Sequence, residues 1–147
     1  MNTDTCNIDE IKGLIPHRYP FLLIDKVIDI VKNQSATGIK NVTVNEPYFT
    51  GHFPSSPVVP GVLQVESMAQ TAAVLVAKSL NVSDSTALVL LTTIDKAKFR
   101  KPVVPGDVML LDISVQKMRN KLWKFKGDVI VDSQRVSECE FSAMMRI

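Results

Sequence analysis

The sequence predicts an α+β domain in which one long helix is wrapped by a curved antiparallel sheet. Residues 61–80 contain no proline, are rich in alanine and leucine, and are apolar on nearly every face, which is typical of a buried helix. After this helix the apolar pattern changes to a period of two, and short turns separate the segments. Since a helix that is apolar all round must be covered, we expect the sheet to curve around it.

The part of the chain before the helix is predicted to contain a short helical turn and two strands. Residues 1–8 are polar and are expected to form a flexible tail, whereas 9–14 favour a helical turn. Residues 21–31 and 35–44 are rich in aliphatic and β-branched side chains, so each is predicted to be a strand. Gly38 in the second strand indicates a bulge or the close approach of another element.

The part after the helix is predicted to be entirely β. Residues 86–100 are apolar through most of their first half, so this strand is expected to be central or buried on both faces. Alternation then predicts strands over 107–118, 123–131 and 136–147, which form an antiparallel meander. A single sheet covers only one side of the helix, so we expect the chain to dimerise.

Composition limits the classes of function. The 147 residues suffice for one domain, so 1–147 is predicted to be a single domain, and the net charge of +2 gives no general attraction to nucleic acid. Polar residues such as Gln64 and Glu66 interrupt the apolar helix, which argues against membrane insertion. The two cysteines, Cys6 and Cys139, lack metal-ligand spacing, and the N-terminus lacks a signal-peptide core, so a cytoplasmic location is expected.

One carboxylate and one imidazole stand near the start of the long helix. Glu66 is the only charged residue in 61–77, and a carboxylate on a buried helix is costly unless it is paired, protonated or beside a cavity. His52 lies just upstream, on a segment that three prolines in 54–60 make stiff. Taken alone, His52 could be a structural or solvated loop residue, and Glu66 could belong to a buried ion pair.

Other polar residues have structural interpretations. His17 and Arg18 are interpreted as packing and pairing at the entrance of the first strand, with contact to the substrate as the alternative. Asp25 is expected to pair with a basic group. Gln70 lies one helical turn beyond Glu66 and is placed to donate a hydrogen bond to it, with simple helix packing as the alternative.

These residues resemble those of the FabZ-type β-hydroxyacyl-acyl carrier protein dehydratases of type II fatty acid synthesis. The resemblance covers nearly everything from residue 11 to the C-terminus. The matching segments are PHRYPFLLID (16–25), IKNVTVNEPYFTGHFPSSPVVPGVLQVESMAQ (39–70), IDKAKFRKPVVPGD (94–107) and KFKGDVIVD (124–132). It implies the hot-dog fold, a long helix held in a sheet, and a homodimer with shared active sites that assembles further into a trimer of dimers.

The resemblance also implies a reaction, the removal of water from a (3R)-3-hydroxyacyl thioester to give the trans-2-enoyl thioester. This elimination involves neither redox change nor hydrolysis, so no cofactor and no metal are expected. The catalytic positions carried over are His52 and Glu66, with Glu66 supplied by the neighbouring subunit. His52 suits the base that takes the C2 proton, and a buried Glu66 suits the acid that protonates the leaving hydroxyl. Alternatively, His52 performs both steps and Glu66 positions a water molecule.

Backbone groups are expected to complete the site. The helix starts at Pro60-Gly61 without a capping side chain, so its first N–H groups are free to bind the thioester oxygen, and Gly61 lets that oxygen come close. Phe53, Val62 and the apolar strand residues 86–94 are candidate walls for the acyl chain.

A basic cluster is expected to dock the acidic acyl carrier protein. It is defined here as the carrier patch and comprises Lys96, Lys98, Arg100 and Lys101. Strand alternation puts the first three on one face. A merely solvated face is the alternative interpretation.

Three other functions compete with the dehydratase. A hot-dog acyl thioesterase would also hold a thioester at a helix start, but it would hydrolyse its substrate without needing His52 as a C2 base. The sister dehydratase that also isomerises its product is longer and carries Asp where Glu66 stands. A non-catalytic acyl-binding module would use His52 and Glu66 as a structural pair.

Overall fold

A single antiparallel sheet and one long helix account for most of the molecule. The computed structural model describes residues 3–82 and 88–146. The elements, in chain order, are β1 (Asp4–Cys6), α1 (Ile8–Leu14), β2 (Lys26–Val31), β3 (Ser35–Asn41), a 3₁₀ turn (Pro47–Thr50), α2 (Gly61–Ser79), β4 (Leu88–Phe99), β5 (Val108–Arg119), β6 (Leu122–Val131) and β7 (Gln134–Arg146). The strands in the described residues follow the order β1-β2-β3-β5-β6-β7-β4. The predicted helix wrapped by a curved sheet, the hot-dog architecture, is confirmed.

Helix α2 is buried as the sequence predicts. Met68, Ala72 and Leu75 have no solvent-exposed surface. The helix lies so close to β3 that a Cβ atom on Gly38 would collide with the side chain of Thr71. The prediction that Gly38 marks a close approach is therefore confirmed.

The meander of β5, β6 and β7 supplies the wall opposite the helix. Alternate residues of these strands face the core, as the period of two predicts. Phe125 of β6 lies opposite Phe141 of β7, and their rings stack with centroids 5.2 Å apart. Burying such large aromatic side chains contributes substantially to the stability of the core.

The first predicted strand is shorter than expected. Only Lys26–Val31 form β2, because the backbone before it makes other hydrogen bonds. The N–H groups of Phe21 and Leu22 both donate to the carbonyl of Arg18, and the N–H of Leu23 donates to the side chain of Gln70. These donors are therefore not available to a sheet ladder.

Strand β4 contradicts the prediction of a central, buried strand. It lies at the edge of the sheet beside β7, and Leu90, Leu91 and Ile94 are 45%, 37% and 50% exposed. An apolar run indicates only that its side chains favour exclusion from water, and it does not reveal whether the same chain covers them.

The N-terminus also differs from the flexible tail that was expected for residues 1–8. Residues 4–6 pair with β2, and the side chain of Cys6 is fully buried. Lys78 of α2 forms an ion pair with Asp4 at 2.6 Å, and Asn7 caps the start of α1. Sheet pairing and these side-chain contacts hold the segment in place.

Parts of two predicted elements lie outside the described residues. These parts are Thr86 and Ala87 of the strand over 86–100 and Ile147 at the end of the last strand. Most of the predicted connector at 82–85 and residues 1 and 2 of the expected tail lie there as well. No helix in the described residues combines the length and the apolar character needed to cross a bilayer.

Candidate active site

His52 is held by the backbone of its own loop. Its N–H donates to the carbonyl of Tyr48 at 3.1 Å, and the N–H of Val58 donates to the carbonyl of His52 at 3.1 Å. The ring atom Nδ1 lies 2.8 Å from the carbonyl oxygen of Val58, and the ring stacks on Phe53 with centroids 4.0 Å apart. Because a carbonyl oxygen only accepts, Nδ1 carries the proton, and Nε2 of the neutral ring keeps a free lone pair.

The start of α2 lies beside His52 and presents backbone donors. Pro60 occupies the N-cap position without a side-chain hydrogen bond, as expected from the sequence. The N–H groups of Leu63 and Gln64 donate to the carbonyl of Pro60 at 3.0 and 3.2 Å. The donors of Gly61 and Val62 precede that first helical bond and, with the positive end of the helix dipole, favour an oxygen that carries negative charge.

A groove of about 470 Å³ runs past these groups and is called the His52 groove. Its lining includes His52, Gly61, Val62, Phe99, Arg100 and Lys101. Phe53, a candidate wall for the acyl chain, stacks on the imidazole and is half exposed, and its contact with an acyl chain stays a prediction. Gly61 also has a packing role, since a Cβ atom there would lie 2.9 Å from Cε1 of Phe99.

Glu66 lies in a different groove of about 330 Å³, called the Glu66 groove, whose lining includes His17, Phe21, Gln70, Leu90 and Leu91. Its Oε2 atom accepts a hydrogen bond of 2.9 Å from Nε2 of Gln70, so the predicted contact is confirmed. Burial raises the pKa of Glu66 above its ordinary value, and the hydrogen bond from Gln70 opposes part of that shift.

His17 is the residue of this groove whose importance the sequence did not reveal. Its Nε2 atom lies 3.6 Å from Oε2 of Glu66. Burial lowers the pKa of His17, and the charge of Arg18 lowers it further, so the ring is neutral at neutral pH. A histidine between prolines in a loop has no periodicity, and its only distinguishing signal was that the chain has two histidines.

Arg18 and Asp25 have the structural roles expected, with one difference. The guanidinium of Arg18 donates to the carbonyls of Lys12 and Ile15 at 2.8 and 2.9 Å and so closes the end of α1. Asp25, however, accepts a hydrogen bond of 2.7 Å from the backbone N–H of Asn41. The prediction of a basic partner for Asp25 was wrong because a free backbone donor at the end of β3 lies closer.

The carrier patch is divided between two surfaces. Arg100 and Lys101 line the His52 groove, whereas Lys96 and Lys98 line a separate groove with Glu138 and Glu140 of β7. The ion pairs are Arg100–Glu138 at 2.6 Å and Lys96–Glu140 at 3.4 Å. The Arg100 guanidinium holds the pKa of Glu138 below its ordinary value, so the acidic partners offset part of the positive charge.

One chain does not bring the two candidate catalytic residues into one groove. His52 shares its groove with the helix start, and Glu66 shares the other with His17 and Gln70. Within residues 3–82 and 88–146, no group of three histidine, cysteine or carboxylate side chains is arranged to hold a metal ion.

Comparison with known proteins gives the family. The FabA-like domain model matches residues 15–140. The 3-hydroxyacyl-[acyl-carrier-protein] dehydratase FabZ of Rickettsia bellii is 56% identical over 142 residues, which cover 97% of this chain and 97% of that protein. The protein of the same name from Cereibacter sphaeroides is 55% identical over 145 residues, which cover 99% of this chain and 94% of that protein.

A solved structure shares the fold at much lower sequence identity. It is the dehydratase heterocomplex ApeI:P from Xenorhabdus doucetiae, which superposes with a TM-score of 0.81 at 17% sequence identity. The superposed region covers 94% of this chain and 91% of the matched chain. The family model and the near full-length relatives place the chain in the FabA-like family and, within it, among the FabZ-type 3-hydroxyacyl-[acyl-carrier-protein] dehydratases.

Proposed function

We propose that the chain removes water from (3R)-3-hydroxyacyl-acyl carrier protein by acid–base elimination, with His52 as the base and Glu66 as the acid. The observation that carries this proposal is the hydrogen bond between Nδ1 of His52 and the Val58 carbonyl, which leaves Nε2 able to accept a proton. Glu66 complements it, because burial raises the pKa of its carboxyl and favours the protonated form that an acid needs.

The proposed elimination starts from a His52 ring that can accept a proton and a Glu66 carboxyl group that can donate one. Nε2 of His52 takes the C2 proton, and the electron pair of that C–H bond forms the C2=C3 double bond. As the C3–O bond breaks, Glu66 transfers its proton to the departing hydroxyl, which leaves as water. Negative charge that develops on the thioester oxygen is stabilised by the N–H groups of Gly61 and Val62 at the start of α2.

The separation of the two grooves supports a shared site between two copies of the chain. Strand β4 reaches both grooves, since Leu91 lies in the Glu66 groove and Phe99 in the His52 groove. β4 is also an exposed apolar edge, which is a template for pairing with another strand. If two β4 strands pair antiparallel about Asp95, midway between these residues, Leu91 of each copy meets Phe99 of the other.

That pairing is isologous and brings the Glu66 groove of one copy against the His52 groove of its partner. The exposed side chains of Val62, Leu90 and Leu91 would then enclose an apolar slot for the acyl chain. We propose such a homodimer as the catalytic unit and a trimer of dimers as its further assembly. The cytoplasmic location expected from the sequence remains a prediction.

The chemistry is tested by one assay on the purified protein. (3R)-3-hydroxyacyl-acyl carrier protein and the enoyl form are incubated separately, and both enoyl absorbance and free thiol are followed. We expect interconversion without thiol release, and a fall of about 10²- to 10⁴-fold in His52→Ala and in Glu66→Gln. Thiol release without enoyl formation would instead identify a thioesterase.

The shared site is tested by mixing subunits. His52→Ala and Glu66→Gln chains, each inactive alone, are unfolded together and refolded. Random pairing makes about half of the dimers mixed, and each mixed dimer keeps one intact site, so we expect about a quarter of the wild-type activity. A site built within one chain would recover nothing.

The carrier patch is tested by charge reversal. We expect Lys98→Glu and Arg100→Glu to weaken turnover of carrier-linked substrate, with a salt dependence, and to spare a small thioester mimic. Lys12→Glu, on α1 away from both grooves, is the control. Equal losses on both substrates would remove the patch as the docking site.

A further inference from the structure

His17 has an arrangement that its surroundings explain only in part. Its side chain is 22% exposed, and Nε2 faces Oε2 of Glu66 at 3.6 Å. Its other ring atom, Nδ1, is buried without a hydrogen-bond partner among the described residues. A buried polar atom without a partner is uncommon in a folded protein and calls for a reason.

The surroundings decide which ring nitrogen carries the proton. A proton on Nδ1 would bury an N–H group that no acceptor satisfies, whereas a proton on Nε2 points at a carboxyl oxygen. The charged groups near the ring are Glu66 on α2 and Arg18 on its own segment, while Ala73 of α2 and Val89 of β4 are among the apolar residues that line the same grooves. The surroundings therefore favour the neutral Nε2–H tautomer.

The same carboxyl oxygen receives a second donor whose position is fixed. The Nε2 group of Gln70 donates to Oε2 of Glu66 at 2.9 Å and to the carbonyl of Phe21 at 2.7 Å. Its Oε1 atom accepts from the N–H of Leu23 at 2.8 Å, which excludes a flipped amide. Oε2 of Glu66 thus faces two N–H donors, and its own proton must reside on Oε1.

We propose that His17 is a positioning residue for the dehydration, because its Nε2–H group and the Gln70 amide together reserve Oε2 of Glu66 as an acceptor and leave Oε1 to deliver the proton. This inference rests on the proposed acid role of Glu66. The distance of 3.6 Å is longer than a hydrogen bond in the isolated chain. The proposal therefore requires this distance to shorten to a hydrogen bond when substrate and the second subunit complete the site, as catalytic contacts commonly do.

The tautomer is measured directly, without any assay of activity. The chain has only two histidines, so ¹⁵N-histidine labelling gives two ring systems, which His17→Gln assigns. At neutral pH we expect His17 as the Nε2–H tautomer, and we expect the Nδ1 atom of His52 to carry a proton because it faces the Val58 carbonyl. An Nδ1–H tautomer or an imidazolium at His17 would overturn the proposal.

The kinetic role is measured with two variants of one position. In His17→Gln the amide nitrogen takes the place of Nε2, whereas His17→Leu offers no donor. We expect His17→Leu to lower kcat about tenfold, the equivalent of one hydrogen bond, with little change in KM. Loss of a hydrogen-bond donor to the Glu66 carboxylate raises the pKa of Glu66. The alkaline limb of the pH–rate profile of His17→Leu should therefore move to higher pH. His17→Gln should restore most of the rate and the wild-type limb.

The outcomes separate this inference from the proposed function. Wild-type rates in both variants, or equal losses in both with an unmoved limb, would show that His17 does not act through Glu66. If the wild type itself fails to dehydrate the substrate, the proposed function fails, and the tautomers still decide the arrangement of His17. If His17→Leu does not fold, as judged by circular dichroism, the His17 tautomer decides the proposal.

Discussion

At the scale of a single residue, the environment of Glu66 favours the neutral form of its carboxyl group. Its side chain is 19% exposed, and burial is the largest cause of its raised pKa. The hydrogen bond from Gln70 acts in the opposite direction and is the smaller influence. The folded protein therefore binds the Glu66 proton more tightly than the unfolded chain does.

This proton affinity predicts a pH dependence of stability. A raised folded pKa gives stability that is complete below the ordinary glutamate pKa of about 4.3 and is lost as pH rises through the folded value. Gln does not ionise, so the free energy of unfolding of Glu66→Gln minus that of the wild type should grow with rising pH and then level off. Denaturant unfolding at a fixed protein concentration measures this difference.

Glu138 provides a control of opposite sign. Its pKa is lowered by Arg100, so it contributes stability above the ordinary glutamate pKa that is lost as pH falls. The Glu138→Gln variant should therefore lose stability relative to the wild type as pH rises. A Glu66→Gln difference that is flat, or that follows the Glu138 control, would contradict the raised pKa of Glu66.

Gly61 is a second position where one added atom is expected to change the stability of the protein. A Cβ atom there would lie 2.9 Å from the ring of Phe99. We expect Gly61→Ala to destabilise the protein by about 1–3 kcal/mol, because the ring must shift. Gly13→Ala, where nothing lies within 4 Å of the added atom, is the control and should be neutral or stabilising. Thermal unfolding compares the two, and equal effects would contradict the packing role of Gly61.

At this scale the sequence predicted residues that stand out from their local pattern and missed those that depend on chain geometry. Glu66 stood out as a charge on an apolar helix. His17 did not, because its contact with Glu66 arises only when the turn at Arg18 folds the segment against α2. The backbone partner of Asp25 was missed for the same reason.

Among the elements, α2 and the segment before β2 are joined by one side chain. Gln70 is 1% exposed and makes hydrogen bonds to Phe21, Leu23 and Glu66. Two of these satisfy backbone groups that would otherwise belong to a strand. A helix residue therefore helps to fix the segment, together with the hydrogen bonds from Phe21 and Leu22 to the Arg18 carbonyl.

Removing that side chain should loosen the segment. We expect Gln70→Leu to cost about 3 kcal/mol, since it leaves the Leu23 N–H and the Phe21 carbonyl without partners. Amide hydrogen exchange at Leu23 should accelerate more than exchange in β6. Gln116→Leu, on the exposed face of β5, is the matched control. Unchanged exchange at Leu23 would show that other contacts hold the segment.

The elements that the sequence predicted well are those with local periodicity. Helix α2 and the three strands of the meander follow the expected spans closely, because burial on one side imposes a regular pattern. Strand β4 was recognised as a strand but misplaced in the sheet. Its position depends on which strands pair across long separations, and periodicity carries no such information.

At the scale of the whole molecule, the exposed edge of β4 is the surface that most requires a partner. Ile94 is 50% exposed near the middle of that edge. We expect Ile94→Lys to dissociate the proposed dimer and to abolish activity together, because a charge in the pairing interface is poorly solvated. Leu110→Lys on β5, away from the β4 edge, is the control. Sedimentation velocity measures the oligomeric state, and the dehydration assay measures the activity. An Ile94→Lys variant that remained an active dimer would contradict the proposed interface.

The division of His52 and Glu66 between two grooves has a consequence for a newly made chain. If the active site is shared between two subunits as proposed, such a chain carries a base and an acid that have no common substrate, and elimination would start only when it meets a second chain. Specific activity then obeys mass action, falling on dilution below the dissociation constant of the pair and recovering on concentration. The rate at which a cell gains this activity would rise more steeply than the rate at which it makes the polypeptide.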